Sequence, residues 1–295
     1  MSTIIIACDH GLGHIRRCAL MARALYRAGE RVVLYAPIGK YNHLRRAILS
    51  ISGLNVIDFS TNTSMTLMRQ DVGKAIKWIY SLPQLDKYDS VICDNLPEIL
   101  SIRPDAVLSA NFFWHEVIPD VSEAYSLYCW DLLDRFRPTI LGNELFAMDS
   151  VRSQTGYTVV GLYKNPELSA LSSANQSIAR NNLLVSCGST TKARDQFEPI
   201  VSSLMNKGPR NYDKVLFDPV LMPSNRPSWL FEADYTSDMY STLNAAICRP
   251  GLGVVTDLLT VGARIATVYE PDNLEMAHNA KVISTLPCYD ANILS

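Results

Sequence analysis

The 295-residue sequence has no Cys-x-x-Cys pair, no Asp-x-Asp pair, no long Lys/Arg tract and no run of about 20 apolar residues. Each absence excludes something. Without paired cysteine spacings, the seven cysteines at 8, 18, 93, 129, 187, 248 and 288 make neither a zinc site nor a disulfide framework. Several sit in apolar runs such as VICD and AAIC, so buried reduced thiols are expected. Without Asp-x-Asp there is no ready pair of carboxylates for a divalent cation, and no metal site is expected. Without a long apolar run there is no membrane-span candidate. The opening TIIIAC is too short for a signal-peptide core and meets Asp9 and His10 at once, so a cytoplasmic location is expected.

What is present is ample apolar material. Hydrophobic residues make up 48% of the chain and charged residues 19%, enough to offset the entropy of ordering in one large or two medium domains. The net charge of −2 is unevenly spread. Residues 1–50 hold eight basic residues (Arg16, Arg17, Arg23, Arg27, Arg31, Lys40, Arg45 and Arg46) against Asp9 and Glu30. That stretch is +6 and the remainder −8, so the N-terminal face is a candidate for an anionic partner, or simply a solvated helix surface.

Short apolar runs alternate with amphipathic stretches, the pattern of βαβ units with parallel sheets. Strands are expected at Thr3–Cys8, Arg31–Ala36, Leu54–Phe59, Ser90–Cys93, Ala106–Ser109, Thr139–Leu141 and Gly156–Leu162. Helices are expected at Ile15–Ala28, Tyr41–Ser50, Met65–Ser81 and between Val121 and Arg135. The polar, Ser-rich residues 163–180 read as a connection, after which the pattern restarts. Strands then fall at Leu183–Cys187, Lys214–Phe217, Ala245–Cys248 and Arg264–Tyr269. Helices fall at Ala193–Asn206, Asp238–Asn244, Thr256–Val261 and Glu275–Ile283. The expected division is 1–163 and 164–295, two open α/β domains with ligands bound at the carboxyl ends of strands, in a cleft between them.

Two glycine-bearing turns carry the chemistry. Gly11-Leu12-Gly13-His14 follows the first strand, with Arg16 and Arg17 opening the helix. The third glycine of a dinucleotide fingerprint would fall at Arg16, which disfavours NAD. His14 is placed as a general base, and Asp94, ending SVICD, as an alternative. A plain helix cap is the competing reading of both. The second turn, Gly251-Leu252-Gly253, suits a phosphate, and Asp257 further on could accept bonds from vicinal hydroxyls.

The stretch CRPGLGVVTDLLTVGARIATVYEPDNLEMAHNA, residues 248–280, resembles the donor-binding signature of GT-B glycosyltransferases. The opening C-D-H-G-L-G-H-x-x-R resembles the N-terminal glycine loop of the same superfamily, in particular the peptidoglycan N-acetylglucosaminyltransferase and the UDP-sugar hydrolase of pseudaminic acid synthesis. SANFFW at 109–114 is similar to an S-N-F-x-W stretch in related proteins. The resemblance implies two Rossmann-like domains facing each other across a cleft, and metal-independent transfer from a nucleotide sugar, expected to be UDP-linked, to a hydroxyl. It places the donor on Gly188, Ser189, Arg249, Gly251, Leu252, Gly253, Asp257, Glu275 and Asn279. It places the acceptor near Gly11, Gly13, Arg16, Arg17, Asn111 and Trp114. Asp257 stands where Glu is usual, and Met276 where a sugar-binding Gln is common, which leaves the sugar open. Acceptor classes consistent with the sequence are a lipid-linked or soluble glycan, a small molecule or modified DNA. Peripheral contact with a membrane would suit the first. The other readings are a nucleotide-sugar hydrolase and a catalytically silent binding subunit.

Overall fold

The computed structural model describes residues 1–8, 11–38, 54–59, 71–174, 180–188 and 191–294, so the expected helix Tyr41–Ser50, the start of Met65–Ser81, and Asp9, His10, Lys40, Arg45, Arg46 and Ser189 lie outside the described residues. The chain divides into two compact units, Met1–Tyr163 and Lys164–Ser295.

The first unit is built on seven parallel strands: β1 (Ser2–Ile6), β2 (Arg31–Ala36), β3 (Asn55–Asp58), β4 (Ser90–Asp94), β5 (Val107–Ser109), β6 (Ile140–Asn143) and β7 (Tyr157–Val160). Their order across the sheet is β3-β2-β1-β4-β5-β6-β7. A central parallel strand is covered on both faces, so it tolerates no polar alternation. The unbroken isoleucines of β1 answer to that. Ile4 and Ile6 enter one core with Trp78, Phe113 and Leu132, while Ile5 faces the other with Ile15, Cys18 and Ala22. Helix α1 (Leu12–Arg27) supplies that second face and packs beside β2. It stops at Gly29, whose φ of 88° only glycine adopts cheaply, and the N–H groups of Ala28 and Gly29 turn back onto its last carbonyls. Then follow α2 (Val72–Tyr80), the single turn α3 (Trp114–Val117), α4 (Glu123–Phe136) and the turn α5 (Asp149–Arg152).

The second unit repeats the plan with β8 (Asn182–Ser186), β9 (Lys214–Phe217), β10 (Leu230–Glu232), β11 (Leu243–Cys248) and β12 (Arg264–Thr267), all parallel in the order β10-β9-β8-β11-β12. Its helices are α6 (Pro166–Ala174), α7 (Thr191–Lys207), α8 (Ser237–Ser241), α9 (Leu252–Val261) and α10 (Leu274–Ser284). Leu183, Val185, Phe197, Phe217 and Ile247 centre its core.

Several expectations change. The Ser-rich 163–180 stretch is not a bare connection, because residues 166–174 form α6, which packs on α8 and α9 and buries Leu168. Helix α1 begins three residues earlier than the periodicity indicates, and α9 four, since Gly11 and Gly251 are the N-caps. Helix α8 ends at Ser241 and β11 opens two residues later, so the expected helix through Asn244 is too long. Strand β10 is too short to show as an apolar run. All seven cysteines are free thiols. No helix among the described residues is long and apolar enough to cross a membrane.

One glycine is fixed by a close backbone approach. A Cβ on Gly156 would lie 2.0 Å from the Pro138 carbonyl oxygen, which cannot give way as a side chain could. Gly156→Ala is expected to destabilise the protein by about 1–3 kcal/mol in denaturant unfolding. Gly161→Ala, with open space around it, is expected to be neutral or slightly stabilising.

Candidate active site

In an open parallel sheet the chain leaves the strand tops in opposite directions at the point where strand order reverses, and a crevice forms there. In the first unit this point lies between β1 and β4, paired in register from Thr3↔Ser90 to Ile6↔Cys93. His14, in the first turn of α1, and Asp94, the last residue of β4, therefore meet although they are far apart in sequence. His14 Nδ1 stands 2.7 Å from Asp94 Oδ2. An ionised carboxylate only accepts, so the Nδ1 proton lies between them, and in the neutral imidazole the acceptor is then Nε2. Arg17, one turn further along α1, donates Nε to Asp94 Oδ1 at 3.0 Å and its Nη2 to the same oxygen.

Asp94 is completely buried, and His14 is 9% exposed. Burial pushes the Asp94 carboxyl up, but Arg17 and His14 beside it outweigh that and hold it below the usual carboxylate range. Asp94 is thus a held anion with both oxygens engaged, not an open proton acceptor; the alternative role as base gives way to one of support for His14. Arg17 is likewise corrected. Its side chain is 11% exposed and turned onto Asp94, so it is no part of a solvated basic face. Gly11 caps α1 with φ of 89°, and Gly13 is exposed in its first turn.

An aromatic wall flanks the imidazole. The Trp114 ring centroid is 5.2 Å from that of His14, and Phe112 presents an edge at 6.0 Å. Asn111 does not reach outward: its Oδ1 accepts from the Asn143 N–H at 2.7 Å and its carbonyl accepts from Met148. It ties the β5 and β6 ends together. Sequence reasoning missed three neighbours. Arg17 Nη2 lies 3.4 Å from the Ser109 carbonyl oxygen, and Tyr163, whose hydroxyl is pushed up by burial, lies within electrostatic reach of Arg17 and Asp94. Asn95 is fully buried with φ of 54°, and its side-chain amide has no hydrogen-bond partner among the described residues. A strained backbone and an unsatisfied amide at one residue cost stability, and such costs gather at functional sites.

In the second unit the strand order reverses between β8 and β11. The Arg249 N–H binds the Ser186 carbonyl at 2.8 Å, so the loops after both strands lie together. Gly188 has φ of 75°, and a Cβ there would approach the Arg249 side chain at 3.7 Å. Arg249 Nε donates to Glu270 Oε2 at 2.9 Å. Gly251 puts no side chain over the first turn of α9, and that turn carries no acid. Leu252 and Gly253 are half-buried there, and Arg16 is half-buried on α1.

Asp257 is buried within α9 rather than solvent-facing. Glu275 lies in the first turn of α10, but the cap is Asn273, whose side chain accepts from the Met276 N–H. Asn279 is 2% exposed and its amide donates to the Pro250 carbonyl at 3.0 Å, so it holds the glycine loop from below rather than facing a sugar. A further carboxylate, Asp218 just past β9, accepts from the Gly188 N–H at 3.0 Å and the Ser186 hydroxyl at 3.2 Å, while Tyr235 hydroxyl lies 2.9 Å from Ser186 Oγ. The signal for it was available, since KVLFD repeats the strand-then-Asp form of SVICD.

No family model matches the sequence, and no curated protein matches it. Solved structures do match in three dimensions. Phytolacca americana UGT2, solved with UDP-2-fluoro-glucose and pterostilbene, aligns over 95% of this chain and 82% of its own, with TM-score 0.64 and 13% identity. A kitacinnamycin glycotransferase aligns over 97% and 87%, with TM-score 0.60 and 13% identity. The spinosyn rhamnosyltransferase SpnG aligns over 97% and 91%, with TM-score 0.57 and 14% identity. The fold is that of the GT-B glycosyltransferases. SsfS6 of Streptomyces sp. SF2575, another such structure, was solved with thymidine diphosphate. At these identities the likeness is one of fold.

A second histidine directly follows Trp114 in the chain. His115 is 6% exposed, stacks on Phe113 at 5.3 Å and lies T-shaped to Trp130 at 4.5 Å, and neither ring nitrogen has a hydrogen-bond partner among the described residues. Burial pushes it down to about 4 from the usual 6.5. The unfolded chain takes this proton between pH 6.5 and 4 while the folded chain refuses it, so stability is lost as pH falls through that window, by on the order of 3 kcal/mol in all. Thermal unfolding of His115→Phe against wild type is expected to show the variant gaining relative stability steadily from pH 6.5 to pH 4. A constant difference would remove His115 as the cause.

Proposed function

We propose that this protein transfers a glycosyl group from a nucleoside-diphosphate sugar, UDP-linked by preference, to a hydroxyl acceptor. The observation that carries the reading is the His14–Asp94 pair at the strand-order reversal of the first unit. His14 Nε2, free to accept, takes the proton of the acceptor hydroxyl as its oxygen attacks the anomeric carbon. The bond from that carbon to the diphosphate breaks, and the nucleoside diphosphate leaves with the electron pair. Asp94 stays ionised and stabilises the imidazolium that forms.

The second unit takes the donor. The turn Gly251–Gly253 and the first turn of α9 receive the diphosphate, with Gly188 allowing close approach and Arg249 supplying positive charge as the leaving group forms. Asp257 and Glu275 are assigned to donor hydroxyls. The fold shared with sugar-transferring enzymes supports the reading, and the solved neighbours bound to UDP-2-fluoro-glucose and to thymidine diphosphate set the donors to try first.

A thermal-shift panel of UDP- and dTDP-sugars is expected to raise the melting temperature with one nucleotide clearly preferred, since ligand at about 100 times its Kd adds about 2.7 kcal/mol. Asp257→Ala is expected to weaken binding of that nucleotide sugar by about 1.5–3 kcal/mol, and Gly253→Val to abolish it. His14→Ala is expected to cut turnover by about 10²–10⁴-fold with nucleotide affinity retained. Unchanged turnover in His14→Ala would sink the base assignment. Free sugar released as fast without acceptor as with it would turn the reading to hydrolysis.

A further inference from the structure

A histidine oriented by a carboxylate needs one oxygen of that carboxylate, yet here both are taken. His14 Nδ1 holds Oδ2 of Asp94 at 2.7 Å, while Arg17 puts Nε at 3.0 Å, and Nη2 as well, on Oδ1. The same Nη2 lies 3.3 Å from His14 Nδ1 and 3.4 Å from the Ser109 carbonyl oxygen. One guanidinium thus touches the base, its carboxylate and the end of the neighbouring strand. Drawing it out of water is costly unless the charge it meets is fixed in place. The spacing His14-x-x-Arg17 puts both side chains on one face at the start of α1, so a single helix position sets the geometry of the whole group.

We propose that Arg17 is a positioning residue for the base. By occupying Oδ1 it keeps Asp94 ionised and in the one orientation that offers Oδ2 to His14 Nδ1, which fixes the imidazole tautomer with its lone pair on Nε2. The use of that lone pair rests on the proposed function; the hold on Asp94 and on the tautomer does not. The other titratable groups facing Asp94 among the described residues are the Cys18 thiol on α1, the Cys93 thiol on β4 and the Tyr163 hydroxyl after β7. Burial pushes all three up, so they stay neutral and supply no charge in place of Arg17. A lysine would not serve equally, because its point charge lacks the planar fork that engages Oδ1 through two nitrogens.

The test is an NMR pH titration of the full chain without ligand, with ¹³C-labelled aspartate and ¹⁵N-labelled histidine. It compares wild type with Arg17→Met and Arg17→Lys. In wild type, the Asp94 carboxyl carbon is expected to stay at its ionised shift below the usual carboxylate range, and the His14 nitrogens to report a single Nδ1–H tautomer. In Arg17→Met, the Asp94 midpoint is expected to rise by about one unit or more, and His14 to become a mixture of tautomers. Arg17→Lys is expected to fall between the two. An Asp94 midpoint and a His14 tautomer that match wild type in Arg17→Met would overturn the proposal. If Arg17→Met does not fold, the same match in Arg17→Lys would overturn it. Full turnover in His14→Ala would instead remove His14 as the base and leave these titrations standing.

Discussion

An anion with no water around it must be met by charge or by hydrogen-bond donors on every side, and Asp94 imposes that demand on the first unit. Its place is set by the β1–β4 register, in which the last paired residues are Ile6 and Cys93, so the carboxylate stands one residue beyond the ladder. Helix α1 opens with five residues between it and β1, and its first-turn His14 comes level with the carboxylate. Gly11, the N-cap of α1, takes a φ of 89° that glycine adopts without strain. Ser109 and the aromatic residues after β5 fill the space on the other side. Helix start, glycine and strand ends are all consequences of where one charge sits.

The second unit carries a carboxylate at a comparable place, with the opposite electrostatic outcome. Asp218 organises the β8 loop through the Gly188 N–H and the Ser186 hydroxyl, as Asp94 organises the start of α1. Burial pushes the Asp218 carboxyl up, and the hydrogen bonds from Tyr235, Gly188 and Ser186 do not fully offset it. The contrast isolates what a cation adds. The neutral donors around Asp218 fall short of offsetting its burial, whereas the charges beside Asp94 more than offset its own.

Parallel strands buried on both faces were the most legible part of the sequence, because they need unbroken apolar runs. Arg31–Ala36 and Lys214–Phe217 can be read end to end. Helix starts were read late wherever glycine stood in the first turn, as at Gly13 and Gly253, since a glycine that caps or opens a helix has the same letters as one in a loop. Residues 163–180 read as a connection because Ser-rich composition hides the anchor Leu168, and contacts from residues far downstream decide the structure. His14 and Asp94 were each visible as candidates, yet as rivals. Their pairing follows from strand order, which no local spacing encodes. Asn111 and Asn279 looked like ligand contacts by position and are instead spent on backbone groups.

Helix α6 opens the second unit in sequence but finds its support late. Its partners α8 and α9 begin at Ser237 and Leu252, beyond three of the unit's five strands. During synthesis the whole sheet of the first unit is out of the ribosome before any residue of α6, while α6 must wait for almost all of the second unit before its apolar side has anything to cover. The segment that joins the two units is thus among the last to be fixed. Its docking marks the second unit as closed rather than begun.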